Sequence, residues 1–309
     1  MKVLITGAAG FAGSHIAEEL RSQGHETVAL DNLSYSARLE WLKPGRHVFH
    51  DLREEIPREK LDDIGPVDVI VHNAAQSHVS RAIRDPEIFL RSNALGTFNM
   101  LEAARELKPR RFIYVSTDEV LGPSDVELDV DAPLNPTNPY SASKAAGEYM
   151  CRAHRRAFGV PTMITRTCNM FGPRQHVEKF VPLAISKIIR DEPLEIHKTK
   201  DNFIGCRRWC HVSEQARAIS YLSTNGRSGE TYHVSAGTEL TNLAMAELLG
   251  AIVGKKITYS TQVSNRPFYD ARYRLKESSL VSLWKSTDSV VELLRDTVDW
   301  YRSHAEVLN

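Results

Sequence analysis

The chain of 309 residues lacks the features that tie a protein to a membrane, a nucleic acid or an oxidising compartment. Its longest apolar runs fall short of the roughly 20 residues needed to cross a bilayer. Lysine plus arginine equal aspartate plus glutamate at 39 each, so no net charge favours nucleic acid or anionic lipid. Four cysteines are too few to cross-link such a chain, and we expect free thiols in the cytoplasm. The first predicted strand begins at Lys2, which leaves no room for a signal peptide.

Short β-branched runs alternate with longer amphipathic segments through the first half of the chain, as in repeated β-α-β units. The runs are continuously apolar, which is typical of strands buried on both faces of a parallel sheet. We predict strands near 3–5, 27–30, 47–50, 67–71, 111–115 and 162–165, and helices over 14–23, 85–107 and 140–158. The pattern predicts an α/β fold built on a doubly wound, parallel, Rossmann-type sheet.

This regularity weakens after the sixth predicted strand, where loops with glycine, proline and basic residues interrupt the pattern. Further helices are predicted near 178–191, 241–253 and 287–304. We predict a nucleotide-binding domain over 1–166 and a smaller α/β domain, mainly for substrate, over 167–309. A segment near 212–235 could return to the main sheet.

A glycine-rich loop follows the first predicted strand and opens the first predicted helix. Gly7, Gly10 and Gly13 permit a tight turn and let backbone N–H groups approach a pyrophosphate at the helix N-terminus. Asp31 ends the second strand, 24 positions after Gly7, where a carboxylate can accept hydrogen bonds from adenosine ribose hydroxyls. Because this carboxylate would repel a 2′-phosphate, the predicted cofactor is NAD rather than NADP.

Tyr140 and Lys144 lie one helical turn apart, so their side chains share a helix face. A nearby ammonium, together with a nicotinamide cation, stabilises a phenolate and lowers the tyrosine pKa toward working pH. Tyr140 is therefore a candidate base for an alcohol or sugar hydroxyl. Thr117, at the end of the fifth strand, could hydrogen-bond the same oxygen.

Two adjacent carboxylates, Asp118 and Glu119, follow the same strand at the carboxyl edge of the sheet, where ligands bind in such folds. Neighbouring residues point in different directions and could address two positions of one substrate. A carboxylic acid near a leaving hydroxyl and a carboxylate near an acidic C–H would differ in pKa through their environments. Taken without the other motifs, the pair would read as a solvated acidic turn.

Together these motifs resemble the nucleotide-sugar 4,6-dehydratases of the extended short-chain dehydrogenase/reductase superfamily, over almost the entire chain. The resemblance rests on the glycine loop, on Ser116-Thr-Asp-Glu-Val and Pro139-Tyr-Ser-Ala-Ser-Lys, and on segments that begin at Leu30, His72, Ser92, Arg166, Glu178, Asn265 and Thr297. The Asp-Glu pair is the dehydratase signature, since epimerases and decarboxylases of the superfamily usually lack it.

The resemblance implies an oxidation, an elimination and a reduction on one hexose. Tyr140, supported by Lys144 and Thr117, takes the proton of the C4 hydroxyl while the C4 hydride goes to NAD⁺. Glu119 then removes the C5 proton, and Asp118 protonates the C6 hydroxyl as water leaves. NADH returns hydride to C6, which gives a 4-keto-6-deoxy sugar and implies that NAD stays bound.

The resemblance also implies binding residues and partners. Cofactor contacts are expected from Gly7, Gly10, Phe11, Ala12, Gly13, Asp31, Asn32, Asp51, Leu52, Ala74, Ala75, Asn93, Ser116, Tyr140 and Lys144. Substrate contacts are expected from Ser77, His78, Thr117, Asn169, Lys179, Phe180, Arg207 and Arg266. Related proteins form dimers through a four-helix bundle, so we expect a homodimer, with neither nucleic acid nor membrane as a partner.

Two departures from the family pattern bear on substrate identity. Leu121 replaces a tyrosine, which removes a possible phenol from the pocket wall, and Arg208 replaces the aspartate of a usual Arg-Asp-Trp. No metal is expected at Cys206-x-x-x-Cys210-His211, because no second pair of suitable spacing accompanies it. The alternatives are a 4-epimerase or decarboxylase on the same scaffold, or a non-catalytic NAD-binding regulator.

Overall fold

The structure is a computed structural model that describes residues 1–235, 238–264 and 269–308. Its strands are β1 (Lys2–Thr6), β2 (Glu26–Asp31), β3 (Arg46–Phe49), β4 (Val69–His72), β5 (Arg111–Thr117), β6 (Thr162–Thr167), β7 (Asn169–Phe171), β8 (Leu194–Lys198), β9 (Cys206–His211), β10 (Thr231–Val234), β11 (Thr238–Thr241) and β12 (Tyr259–Val263). Its α-helices are α1 (Phe11–Ser22), α2 (Arg58–Ile64), α3 (Val79–Arg84), α4 (Pro86–Phe89), α5 (Gly96–Leu107), α6 (Pro139–Phe158), α7 (Phe180–Ile189), α8 (Val212–Asn225), α9 (Asn242–Val253) and α10 (Val290–Ser303).

In the described part of the chain, seven parallel strands form the main sheet in the order β10-β6-β5-β4-β1-β2-β3. The order reverses between β1 and β4, and Thr6 is level with His72 at their carboxyl ends. Open α/β sheets bind ligands in the crevice at such a reversal. The predicted doubly wound parallel sheet is confirmed, and the 212–235 segment contributes α8 and the edge strand β10.

Alternate residues of each central strand are buried on opposite faces of the sheet. Leu4 and Ile70 pack with α2, α5 and α6 on one face. Ile5 and Val71 pack with α1 and α8 on the other. Because both faces are covered, the strands read as continuous apolar runs in the sequence.

The prediction of one continuous helix over 85–107 is wrong for the middle of that span. Asp85 caps α4, and a π-helical stretch over Leu90–Leu95 joins α4 to α5. Within that stretch Asn93 is buried, and its side-chain amide exchanges hydrogen bonds of 2.7 and 2.9 Å with the backbone N–H and carbonyl of Gln76. Apolar periodicity could not reveal the π turn, because a tertiary contact selects it.

A second apolar core lies among α7, α9, α10 and β9, beside the carboxyl edge of the main sheet. The strands around it form a β11-β9-β7 sheet and a β12-β8 pair, none of which the apolar pattern predicted. The division of domains at residue 166 stays a prediction. Among the described residues, no helix combines the length and the apolar character that a membrane crossing requires.

A fully buried ion pair joins α6 to β6. The Nε and Nη2 atoms of Arg166 donate to the two carboxylate oxygens of Glu148 at 3.0 and 2.9 Å, and Ser116 Oγ donates to the same carboxylate at 2.8 Å. Both charged side chains are 0% exposed. The pair therefore fixes the rear face of α6 against the sheet.

Replacing Glu148 by Gln is expected to lower the free energy of unfolding by about 3–5 kcal/mol, because it leaves a buried guanidinium without its counter-charge. Urea unfolding monitored by circular dichroism measures the change. The matched control is Glu106→Gln in the exposed Arg58–Glu106 pair, which should cost less than about 1 kcal/mol. Equal losses in the two variants would contradict the prediction.

Candidate active site

A cavity of about 220 Å³ lies at the carboxyl ends of β1, β2 and β4. It is lined by most of the predicted cofactor residues: Gly7, Gly10, Phe11, Ala12, Asp31, Asn32, Asp51, Leu52, Ala74, Ala75, Ser116, Tyr140 and Lys144. The other two support the wall. Asn93 holds the backbone of Gln76, and Gly13 packs α1 against the glycine loop.

The glycine loop fits a pyrophosphate because side chains are excluded from it. Gly7 has φ +69°, and a Cβ there would lie 2.9 Å from the Cα of Ala74. A Cβ on Gly13 would lie 2.0 Å from the Gly7 carbonyl oxygen. The loop therefore brings bare backbone to the N-terminus of α1, whose first N–H groups favour an anion. These residues fit NAD.

Asp31 is buried and binds the loop from the neighbouring strand. One carboxylate oxygen accepts from the backbone N–H of Ala9 at 2.8 Å and the other from that of Leu33 at 2.8 Å. Burial raises the pKa of Asp31, and these backbone hydrogen bonds oppose the rise. The residue thus positions the glycine loop, while its contact with ribose hydroxyls stays a prediction.

The start of α6 places Tyr140 and Lys144 on the wall of the cavity. Asn138 is the N-cap and forms a reciprocal capping box with Ser141, and Pro139 begins the helix. Tyr140 and Lys144 are 9% and 3% exposed. The Nζ atom of Lys144 donates to the carbonyl of Val115 at 2.7 Å.

The chain alone does not lower the pKa of Tyr140, so the predicted lowering with bound cofactor stays a prediction. Burial and the nearby carboxylates Glu119 and Asp118 raise that pKa, and only the hydrogen bond with Thr117 opposes them. Burial also lowers the pKa of Lys144 to about 7. The expected lowering counted a nicotinamide cation, which belongs to the cofactor and not to the chain.

The adjacent carboxylates follow β5 in one short turn, Asp118–Leu121, and have different surroundings. Thr117 Oγ1 donates to Asp118 Oδ1 at 3.1 Å, and burial beside the charge of Glu119 raises the pKa of Asp118 to about 7. Glu119 accepts from Asn138 Nδ2 at 3.2 Å. Burial raises the pKa of Glu119 as well, but the guanidinium of Arg207 opposes the rise. Asp118 is thus suited to hold a proton and Glu119 to accept one.

Replacing Asp118 by Asn is expected to stabilise the folded protein at pH 8. A carboxyl with a raised pKa in the folded state stabilises the fold below its ordinary pKa of 3.8, and this contribution is lost as the pH rises through about 7. The free energy of unfolding of the variant should exceed that of the wild type by up to about 4 kcal/mol at pH 8 and equal it near pH 4. Urea unfolding at both pH values measures this, and parallel pH profiles would contradict it.

Two adjoining cavities, of about 180 and 190 Å³, lie between the acid pair and the second core. They are lined by the predicted substrate residues Ser77, His78, Thr117, Asn169, Lys179, Phe180 and Arg207. Arg266 lies outside the described residues. The smaller of the two shares Ser116 and Tyr140 with the cofactor cavity. Cofactor and substrate cavities therefore meet at Tyr140.

The lining residues that sequence reasoning missed as site residues include Asn138, Glu178, Asp270 and Tyr273. Asn138 had a local signal, because Asn before Pro marks a helix start. Glu178 stood in a recognised motif, and its Oε1 accepts from Tyr35 Oη across the cavity mouth at 2.5 Å. Asp270 and Tyr273 stood in the recognised segment that begins at Asn265, but only the long-range return of the chain shows that they line the site.

The first departure from the family pattern lies beneath the cavities rather than on their wall. Leu121 is 4% exposed in an apolar cluster that includes Ala145, Cys168 and Cys210. The expectation that Leu121 removes a phenol from the pocket wall is therefore wrong. The residue packs under the acid pair and supports the turn that carries it.

Comparisons with known proteins agree with this geometry. Residues 3–235 match the model of the NAD dependent epimerase/dehydratase family. The dTDP-glucose 4,6-dehydratase of Salmonella typhimurium is 34% identical over 100% of this chain and 95% of its own. That of Streptomyces niveus is 36% identical over 98% and 94%.

Solved structures of NAD-bound enzymes have a similar fold. The dTDP-glucose 4,6-dehydratase DesIV from Streptomyces venezuelae, with NAD bound, has a TM-score of 0.90 at 33% identity and covers 99% of this chain and 98% of its own. The UDP-glucose 4-epimerase of Thermus thermophilus, also with NAD, has a TM-score of 0.90 at 28% identity, with 98% and 99% covered. The chain belongs to the NAD-dependent epimerase/dehydratase family.

Proposed function

We propose that the protein is an NAD-dependent nucleotide-sugar 4,6-dehydratase that converts dTDP-glucose, or a similar NDP-glucose, to the 4-keto-6-deoxy sugar. The observation that carries the proposal is the acid pair Asp118–Glu119 beside Tyr140, where the cofactor and substrate cavities meet. Its members differ in electrostatic surroundings, as an elimination requires. The dehydratases among its relatives support the same chemistry.

The cofactor would be held by the glycine loop, the N-terminus of α1 and Asp31, with its nicotinamide end toward Tyr140 and Lys144. When bound, NAD accepts hydride in the oxidation and donates it in the final reduction. The remaining steps are proton transfers, and these belong to the side chains of this chain.

Each proton transfer has a candidate residue. Tyr140, hydrogen-bonded to Thr117, takes the proton of the C4 hydroxyl. Glu119, held by Asn138 and facing Arg207, accepts the proton from C5 once the C4 ketone has acidified it. Asp118, whose pKa of about 7 keeps much of it protonated near neutrality, donates to the departing C6 hydroxyl.

The alternative functions do not need all of the residues that this site contains. An epimerase or decarboxylase needs the Tyr-Lys pair but not two further acids in different surroundings, although a 4-epimerase shares the fold. A non-catalytic regulator needs no buried Thr117, Tyr140 and Lys144 set on the cavity wall. The acid pair favours dehydration over both.

Mass spectrometry of products tests the proposal. The purified protein is incubated with dTDP-, UDP-, CDP- and GDP-glucose, and separately with UDP-glucuronate, without added reductant. Loss of one water from a donor is expected, and it also identifies the nucleotide. Unchanged mass with a new epimer, loss of carbon dioxide from UDP-glucuronate, or no product from any donor would each overturn the proposal.

Assembly and location are part of the same proposal. Phe98 on α5 and Met150 and Phe158 on α6 are 39%, 39% and 52% exposed, and they form an outward apolar face suited to a homodimer. Light scattering should show a dimer that Phe98→Asp disrupts and Leu39→Asp, at a separate exposed leucine, does not. Four free thiols support a cytoplasmic location, which cell fractionation would test.

A further inference from the structure

The second departure from the family pattern, Arg208, lies next to a wall of the substrate cavity that has no regular secondary structure. Asp270 and Tyr273 line that cavity together with Glu119. Tyr273 Oη donates to Asp270 Oδ2 at 2.6 Å. These two residues belong to the segment 269–277, in which the described backbone forms only isolated bridges.

Backbone hydrogen bonds pair this segment with the loop that follows the acid pair. The N–H of Leu128 donates to the carbonyl of Arg274, and the N–H of Lys276 donates to the carbonyl of Leu128, both at 2.9 Å. The N–H of Ser124 donates to the carbonyl of Arg272 at 3.1 Å. The loop and the segment therefore form two extended arms side by side.

Every second residue is charged over part of each arm, and these residues are negative on the loop and positive on the segment. The loop carries Asp125, Glu127 and Asp129, and the segment carries Arg272, Arg274 and Lys276. The end pair Lys276–Asp129 is solvated, with side chains 60% and 54% exposed. Exposed pairs of this kind contribute little. Besides the backbone hydrogen bonds, the arms are joined by the packing of Leu275 with Leu128 and by a largely buried polar contact.

Arg208 supplies that contact. Its side chain is only 10% exposed, its Nη1 donates to the carbonyl of Leu275 at 3.0 Å, and its Nη2 pairs with Glu127. Glu277 lies 3.9 Å from Nη1. One guanidinium thus joins the segment, through Leu275, to the loop, through Glu127.

Arg207 holds the same segment from the other side of β9. Its guanidinium donates to the carbonyls of Ala271 and Asp270 at 2.8 and 2.6 Å. Successive residues of a strand point to opposite faces, so Arg207 and Arg208 reach the segment at two separate places. An aspartate at position 208 could not donate to a carbonyl or pair with Glu127.

We propose that Arg208 is a positioning residue for sugar-nucleotide binding: by joining Glu127 to Leu275, it fixes the segment that presents Asp270 and Tyr273 to the substrate cavity. The part that concerns substrate rests on the proposed function. The part that concerns the two arms does not, because it follows from contacts within the chain.

Hydrogen–deuterium exchange tests the arms independently of activity. In Arg208→Met, amides of 124–129 and 272–277 should exchange roughly tenfold or more faster, while those of β1 and β4 keep the wild-type rate. The matched control Lys276→Met should leave both sets unchanged. If the amides of both arms in Arg208→Met exchange at the wild-type rate, the proposal is overturned.

Steady-state kinetics and calorimetry with dTDP test the link to substrate. Arg208→Met should raise the KM for the sugar nucleotide and the Kd for dTDP roughly tenfold to a hundredfold, while bound NAD is unchanged and kcat changes much less. Arg208→Lys should recover part of the affinity. A parallel loss of kcat, NAD content and affinity would indicate a merely structural role and overturn the proposal.

A second variant keeps the test decisive if Arg208→Met fails to fold. Glu127→Ala leaves the hydrogen bond to Leu275 in place and removes the acceptor on the loop, so it should loosen 124–129 and raise the Kd for dTDP. Unchanged exchange and affinity in a folded Glu127→Ala would overturn the proposal. If no sugar nucleotide is turned over by the wild type, the proposed function fails while the exchange experiment still decides the arms.

Discussion

Replacing Tyr140 by Phe is expected to lower kcat by about 10²- to 10⁴-fold, the range by which a positioned acid or base accelerates a reaction. The phenol is the group at which the cofactor and substrate cavities meet, and Thr117 is its hydrogen-bond partner. The ring remains, so its edge contact with Phe89, at 6.3 Å between centroids, is preserved. Folding and NAD content should therefore stay at wild-type levels, and product formation by mass spectrometry measures the loss.

The same substitution on the outer face of the same helix provides the control. Tyr149 on α6 is 57% exposed and lies away from the cavities, so Tyr149→Phe should keep kcat within about twofold. A Tyr140→Phe protein that retains a tenth or more of wild-type kcat would show that another group takes the proton. In that case the buried phenol has a structural role in the wall.

Replacing Glu119 by Gln is expected to abolish dehydration, with a loss of about 10²- to 10⁴-fold. Gln retains an oxygen that can accept from Asn138, so the turn after β5 should keep its shape. What is lost is the capacity to take a proton from C5. Exchange of that position with deuterated solvent should stop, while reduced nicotinamide from the C4 oxidation still accumulates in the absorbance spectrum.

The substitution Asp118→Asn distinguishes the role of Asp118 from that of Glu119. It removes the proton donor and keeps the base, so C5 exchange should continue while loss of water slows. Wild-type C5 exchange in Glu119→Gln, or loss of exchange in Asp118→Asn alone, would reverse the assignment of the two carboxylates. Deuterium incorporation followed by mass spectrometry distinguishes these outcomes.

The parts of the molecule that the sequence predicted well are those whose signal is local. Apolar runs predicted the first six strands of the chain, and all of these except the edge strand β3 are buried on both faces. Gly7 and Gly13 marked the cofactor loop because their Cβ positions are filled by backbone. The acid pair and Tyr140 were found because strand ends and helix starts have recognisable residues.

The remainder depends on contacts between distant parts of the chain. Asp270 reaches the substrate cavity only through the pairing of 269–277 with the loop after β5, which no local pattern encodes. The resemblance assigned Arg207 to the substrate, but the contact of Arg208 with Glu127 follows only from the orientation of β9 and the return of the chain. In the chain alone, burial of Tyr140 and the two carboxylates beside it raise its pKa, and neither the burial nor the contact is encoded locally in the sequence.

The π turn over Leu90–Leu95 restricts how this chain can change in length. Such a turn is equivalent to one residue inserted into an ordinary α-helix. A one-residue deletion there would restore a regular helix but rotate α5 by roughly 100° relative to the amide of Asn93 that holds Gln76. Either the cofactor wall or the apolar outer face of α5 would then be misplaced. Insertions and deletions should therefore be excluded from this stretch in functional relatives, while the surface loops remain free to vary in length.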